Sequence, residues 1–240
     1  MLTVSTRAGY AGCMAVRWPR KPKGAYHHGD LERALLEAAL RTIREDGVQG
    51  LTLRGVGARL GVSRTALYRH FDDKTALLAR VAAEGFRLLH AALRRAIANA
   101  SAEGTDILQE MARAYVRFAL SNQSHYQTMF GGFLTDWSRY PDLIHHAEAA
   151  FNVLLDTIRD EQRHGRIVAG DPIELAEITW SLSHGIATLG AARHLERTSI
   201  SVEELAVLGC RLLEHGLRRS SKLRTGLPVL GRQRTIRHIE

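Results

Sequence analysis

The sequence predicts an all-α protein: an N-terminal three-helix unit of helix-turn-helix shape, followed by a C-terminal helical bundle. Three observations carry that expectation. Apolar residues recur at i, i+3 and i+4 along most of the chain, and no stretch alternates as a half-buried strand would. Only five prolines occur in 240 residues, while Ala, Leu, Arg and Glu are abundant throughout. Glycines, prolines and capping side chains fall where the periodic segments break.

The first 26 residues mix Gly, Pro and basic residues without periodicity and read as a flexible basic arm. From Asp30, a helix cap, Leu31, Ala34, Leu35, Ala38, Ala39 and Ile43 share one face, and Gly47 can end that helix in the left-handed conformation. Thr52 caps a short second helix through about Leu60. Gly61 then makes a tight turn, and Ser63 caps a third helix through about Phe71. Asp73 caps a fourth. Residues 27–74 are therefore expected to form one domain and 75–220 a second. The second should hold helices at 74–100, 104–122, 124–137, 141–164, 172–196 and 201–219. Gly104, Pro141, Gly165, Gly170 and Pro172 supply its breaks, and residues 221–240 read as a basic disordered tail.

Composition narrows the class. Hydrophobic residues make up 45% and charged residues 24%, as in ordinary globular proteins. Cys13 and Cys210 lie far apart and resemble neither a disulfide framework nor a zinc site. No run approaches the length of a membrane span, and the first 20 residues lack a signal-peptide core. A cytoplasmic location with no membrane partner is the expectation. The net charge of +8 is unevenly spread. Residues 1–29 hold five basic residues and no acid, and residues 217–240 hold seven against Glu240 alone. The intervening body is slightly acidic, yet residues 51–80 carry six Lys or Arg against only Asp72 and Asp73. Cations so clustered suit a polyanion.

The stretch "VSRTALYRHFDDKTALL" explains where that charge is displayed. On a helical wheel Leu67 and Phe71 point inward, where Val56, Leu60 and Val62 complete a small core. Thr65, Ala66 and Arg69 face the opposite side, flanked by Arg64, Tyr68 and His70. In helix-turn-helix docking the start of the second helix of the motif reaches base edges in the major groove. Arg64 could pair with guanine, and Thr65 or Ala66 could touch a thymine methyl. Tyr68, His70 and Lys74 are placed to grip phosphates. The 28-residue segment "LTLRGVGARLGVSRTALYRHFDDKTALL" resembles the DNA-binding segment of the tetracycline-repressor (TetR) family of bacterial transcription regulators, and "YHHGDL" at 26–31 is typical of a subgroup. That resemblance implies double-stranded DNA as partner, with Thr52, Arg54, Arg64, Thr65, Ala66, Tyr68, His70 and Lys74 as contacts. Gly55 and Gly57 depart from an ideal helix, at a cost of about 1 kcal/mol each relative to Ala.

A two-fold operator needs two recognition helices, so a homodimer is expected. The last helix offers Leu205, Leu208, Gly209, Leu212, Leu213 and Gly216 on one stripe, with glycines permitting close approach. The helix before it offers Leu175, Ile178, Leu182, Ile186 and Leu189, with Ala176, Thr179, Ser183, Ala187 and Ala191 elsewhere. Trp180, His184 and Gly185 match the W-x-x-x-H-G signature of one C-terminal class attached to TetR-type regulators, and "YQTMFGG" is similar to that class. The resemblance implies a small organic effector of unknown identity, with Tyr126, Met129, Phe130, Phe133, Trp137, Trp180 and His184 as candidate lining residues. Neither His27–His28 nor His145–His146 has chelating spacing, so no metal is expected. No nucleophile-and-base set or glycine-rich phosphate loop is recognisable, so neither catalysis nor a cofactor is expected. The rival readings are a small all-helical enzyme or ligand carrier, for which no such constellation is present, and a non-specific DNA-compacting protein driven by its basic tails.

Overall fold

The computed structural model of the chain describes residues 28–197 and 199–217. The expected arm at 1–26, the His27–His28 pair and the tail at 221–240 lie outside the residues whose side chains are described. Every regular element among the described residues is a helix: α1 (His28–Gly50), α2 (Leu53–Leu60), α3 (Arg64–Tyr68), α4 (Lys74–Glu103), α5 (Ile107–Ser121), α6 (Gln123–Phe130), α7 (Pro141–Arg163), α8 (Pro172–Ala191) and α9 (Val202–Leu217).

The ends follow local chemistry. Thr52, Ser63 and Asp73 each accept a hydrogen bond from the backbone N–H three residues on, at 3.0, 3.2 and 2.7 Å. Asp106 caps α5 in the same manner, and Asp171 caps α8 by accepting from the N–H two residues on. Gly61 and Gly104 close α2 and α4 at φ 67° and 68°, a conformation that costs glycine least.

Four expectations about boundaries are corrected. α1 already includes Asp30, and Gly47 kinks it (φ 72°, ψ 172°) instead of ending it, so a last turn runs on to Gly50. α3 stops at Tyr68 rather than Phe71, because Arg69 and His70 tighten into a turn with the His70 N–H on the Leu67 carbonyl at 3.0 Å. The helix expected over 124–137 ends at Phe130, where Gly131 and Gly132 (φ 73°) break it. Phe133 and Trp137 therefore sit on a connecting loop. Likewise α8 stops at Ala191, short of the expected 196.

α4 is the spine. It touches α1 near its start and α5, α6 and α7 along the rest, while α8 and α9 pack on α5. The buried side chains form one continuous cluster from Leu35 to Cys210. The helix-turn-helix unit thus shares its core with the helical body, through Leu77, Leu78 and Val81 of α4.

Candidate functional site

α3 is too short to be stable alone and is held by what it buries. Leu67 is 2% exposed and Phe71 5%, both against the core that contains Val56. Gly57 lets α2 and α3 close on each other, since a Cβ there would stand 3.3 Å from Leu67 Cδ2. Anchored this way, α3 turns its other side to solvent. Thr52, Arg54, Arg64, Thr65, Tyr68 and Arg69 are exposed, while Ala66, His70 and Lys74 are half-buried. The Arg64 guanidinium lies over the Tyr68 ring, 5.5 Å from its centroid, which pre-orders both side chains.

Ion pairs decide which cations of the segment remain available. Arg59 binds Glu45 and Asp46 at 2.5 and 3.2 Å, and Arg80 binds Glu32 at 2.8 Å. Those arginines fasten α2 and α4 to α1. Lys74 Nζ donates to the Gln49 carbonyl at 3.4 Å, bracing the start of α4. Arg54, Arg64 and Arg69 make no ion pair with a described residue. The outward face of α2 and α3 is consequently cationic, with an aromatic ring in its midst.

A second feature lies in the body: a cavity of about 580 Å³ lined by α4, α5, the end of α6, α7, α8 and the 131–140 loop. Of the seven residues expected from the sequence, Phe130, Trp137 and Trp180 line it. Tyr126, Met129, Phe133 and His184 do not. Met129 instead fills the α4–α6 contact against Gly85, and Phe133 packs on Gly131. The walls that sequence reasoning missed come from α4, α5 and α7, among them Phe86, Leu93, Met111, Tyr115, Phe151 and Leu155. Their periodicity marks them as inward-facing, and nothing in it distinguishes a cavity wall from filled core.

Tyr126 and His184 act one layer behind the wall. The Trp180 Nε1–H donates to Tyr115 Oη at 3.1 Å, leaving the Tyr115 hydrogen for His184 Nδ1 at 2.9 Å. Tyr126 Oη stands 3.0 Å from the same nitrogen and 3.0 Å from Thr188 Oγ1. Nδ1 is then an acceptor, which requires the neutral ring with its proton on Nε2. Burial favours that form: it pushes the His184 pKa below the ordinary imidazole value and both phenol pKa values up. The network fixes Tyr115 and Trp180 in the wall. Among the described residues no group of three His, Cys, Asp or Glu could hold a metal ion, and no helix is long and apolar enough to cross a membrane.

Fold and site together define a class: a helix-turn-helix unit with a cationic face, fused to a helical body enclosing an apolar cavity. Two family models match within it. Residues 35–81 match "Bacterial regulatory proteins, tetR family", and residues 108–213 match "Tetracyclin repressor-like, C-terminal domain". The chain belongs to the tetR family of bacterial regulatory proteins. A Rhodococcus sp. RHA1 protein of unknown function is 33% identical in sequence, with a TM-score of 0.69 over 81% of this chain and 98% of that one. The uncharacterized HTH-type transcriptional regulator YobS of Bacillus subtilis is 25% identical over 99 residues, 41% of this chain and 51% of its own. The class A tetracycline repressor from transposon 1721 in Escherichia coli is 52% identical over 44 residues, 18% of this chain and 20% of its own. The chain spans about half or less of the length of these curated relatives.

Proposed function

We propose that the protein is a cytoplasmic, non-catalytic repressor that binds a palindromic operator as a homodimer and is released by a small organic molecule. Residues 27–74 would serve as the DNA-binding domain and 75–220 as the effector and dimerisation domain. The observation that carries this reading is the outward face of α3, where Arg64, Tyr68 and Arg69 are displayed while Leu67 is buried. In this arrangement Arg64, Thr65 and Ala66 read base edges, and Thr52, Arg54, Tyr68, Arg69, His70 and Lys74 contact phosphates. Two such helices in a dimer would enter successive major grooves about 34 to 36 Å apart. Exposed Ile178, Leu189, Leu208 and Leu212 on α8 and α9 supply the apolar surface for pairing.

The effector would occupy the cavity. Trp180 and His184, one turn apart on α8 and joined through Tyr115, support assignment to the W-x-x-x-H-G class. Release requires that the effector prefer a helix arrangement other than the DNA-competent one, because equal affinity for both shifts nothing. The test is retention of fragmented genomic DNA on the purified protein at moderate salt, followed by sequencing. An inverted repeat that is also recovered by protein lacking residues 1–25 and 221–240 is the expected result. Uniform retention without a motif, or its disappearance on truncation, would favour charge-driven binding by the tails.

A further inference from the structure

Charge is distributed unevenly around the cavity in the helical body. No lysine, arginine or histidine lines it, whereas two carboxylates, Glu148 and Glu177, do. Both are exposed although they line a cavity, so they stand at its opening. Glu148 and Asn152 lie one turn apart on α7, Ile173 and Glu177 one turn apart on α8, and all four are exposed lining residues. The opening is thus the α7–α8 cleft, with one carboxylate on each side. Neither makes an ion pair with a described residue.

Behind this rim the walls combine aliphatic side chains with six aromatic rings, those of Phe86, Tyr115, Phe130, Trp137, Phe151 and Trp180. Aromatic faces carry the negative part of the ring quadrupole and attract cations, most strongly where water is excluded. An anionic ligand entering here would lose its hydration and meet no cation in return. A cation would meet aromatic rings inside and carboxylates at the mouth. We propose that the effector is a lipophilic organic cation, bound with its apolar groups among the aromatic walls and its charge toward Glu148 and Glu177. The proposal rests on the cavity being the effector site.

Tetraphenylphosphonium and tetraphenylborate provide the test, being alike in shape and opposite in charge. A cavity of about 580 Å³ admits either. Trp137 and Trp180 line it, so tryptophan fluorescence of the full chain reports entry. The phosphonium should bind at least about tenfold more tightly than the borate. General attraction works the other way, since the chain carries a net +8. Glu148→Gln with Glu177→Gln alters only exposed side chains and should weaken phosphonium binding by about three- to tenfold, leaving neutral N-phenyl-1-naphthylamine unaffected. Equal or tighter borate binding overturns the proposal, as does a double variant with unchanged phosphonium affinity. The neutral probe separates the failures. If it enters and the phosphonium does not displace it, the cavity remains a ligand site and the cation class falls. If no probe enters, the effector site falls and the cation class with it.

Discussion

Arg64 and Tyr68 sit one turn apart on α3 and share a cation–π contact, yet they are suited to different tasks. A guanidinium at the start of the helix can form two hydrogen bonds to one guanine edge, whereas a phenol set back by a turn meets the phosphate backbone. Arg64→Ala should therefore cost about 1 to 3 kcal/mol at a single base position and relax preference there, while Tyr68→Ala weakens binding to every sequence alike. Titrations against the operator and a panel of its single-base variants distinguish the two. Equal losses on all sequences from Arg64→Ala would remove its base-reading role. His184 makes a second residue-scale prediction, set by pH. Burial holds its pKa below the ordinary imidazole value, so the unfolded chain takes up the proton first as pH falls. The stability it contributes is whole above about pH 6.5 and is lost as pH drops through the lower folded value. His125 and His146 are shifted the same way, also chiefly by burial, so the acid loss is shared. His184→Gln should flatten part of the fall in Tm from neutral to mildly acidic pH. A Tm profile parallel to that of the parent would show that the ring gains its proton equally in both states.

At the scale of elements, the contact between α2 and α3 depends on what is missing at position 57. Glycine there costs α2 about 1 kcal/mol of propensity relative to Ala, and in return Leu67 can close on the helix backbone. Leu67 is 2% exposed and has little room to retreat. Gly57→Val should lower stability by about 1 to 3 kcal/mol through overpacking, read as a shift in the denaturation midpoint at unchanged slope. A neutral result would mean that α3 is free to shift, and operator affinity would then fall instead. The sequence revealed Gly57 only as a blemish in a helix, because close approach belongs to the partner element. The caps at Thr52, Ser63 and Asp73 were legible, since each acts on a backbone N–H three residues away. So was the inward pair Leu67 and Phe71, which periodicity alone assigns. The 131–140 loop was not, because Phe133, Leu134 and Trp137 keep helical spacing while Gly131 and Gly132 end the helix. The cavity was half legible for a related reason. Pattern says which residues face inward, and whether their neighbours fill the space is settled only in three dimensions.

For the whole molecule, pairing determines whether two α3 helices meet one operator. Periodicity offered a single apolar stripe on each of α8 and α9, and the fold buries little of either: on α8 the buried side is Leu175 with the small residues set apart from the stripe. Leu175, Ala176, Thr179, Ser183 and Ala187 are buried within the chain, and Gly209 stands against Leu182 and Ile186 of α8. Ile178, Leu189, Leu208 and Leu212 are left 51, 45, 40 and 64% exposed. Leu208 and Leu212 lie one turn apart, so replacing both with Glu places two charges on the patch without touching the core. In a monomer those charges stay in water at little cost, whereas in a dimer they would be buried without partners. Leu208→Glu with Leu212→Glu should convert a dimer to a monomer in sedimentation velocity while keeping helical content. A monomer grips one half-site, so operator affinity should fall by about 10²- to 10⁴-fold as the linked second contact is lost. Phosphonium entry should persist, because the cavity opens between α7 and α8 and not across the patch. A double variant that stays dimeric with full affinity would move the interface elsewhere. One that loses ligand and DNA together would mean that pairing shapes the cavity as well.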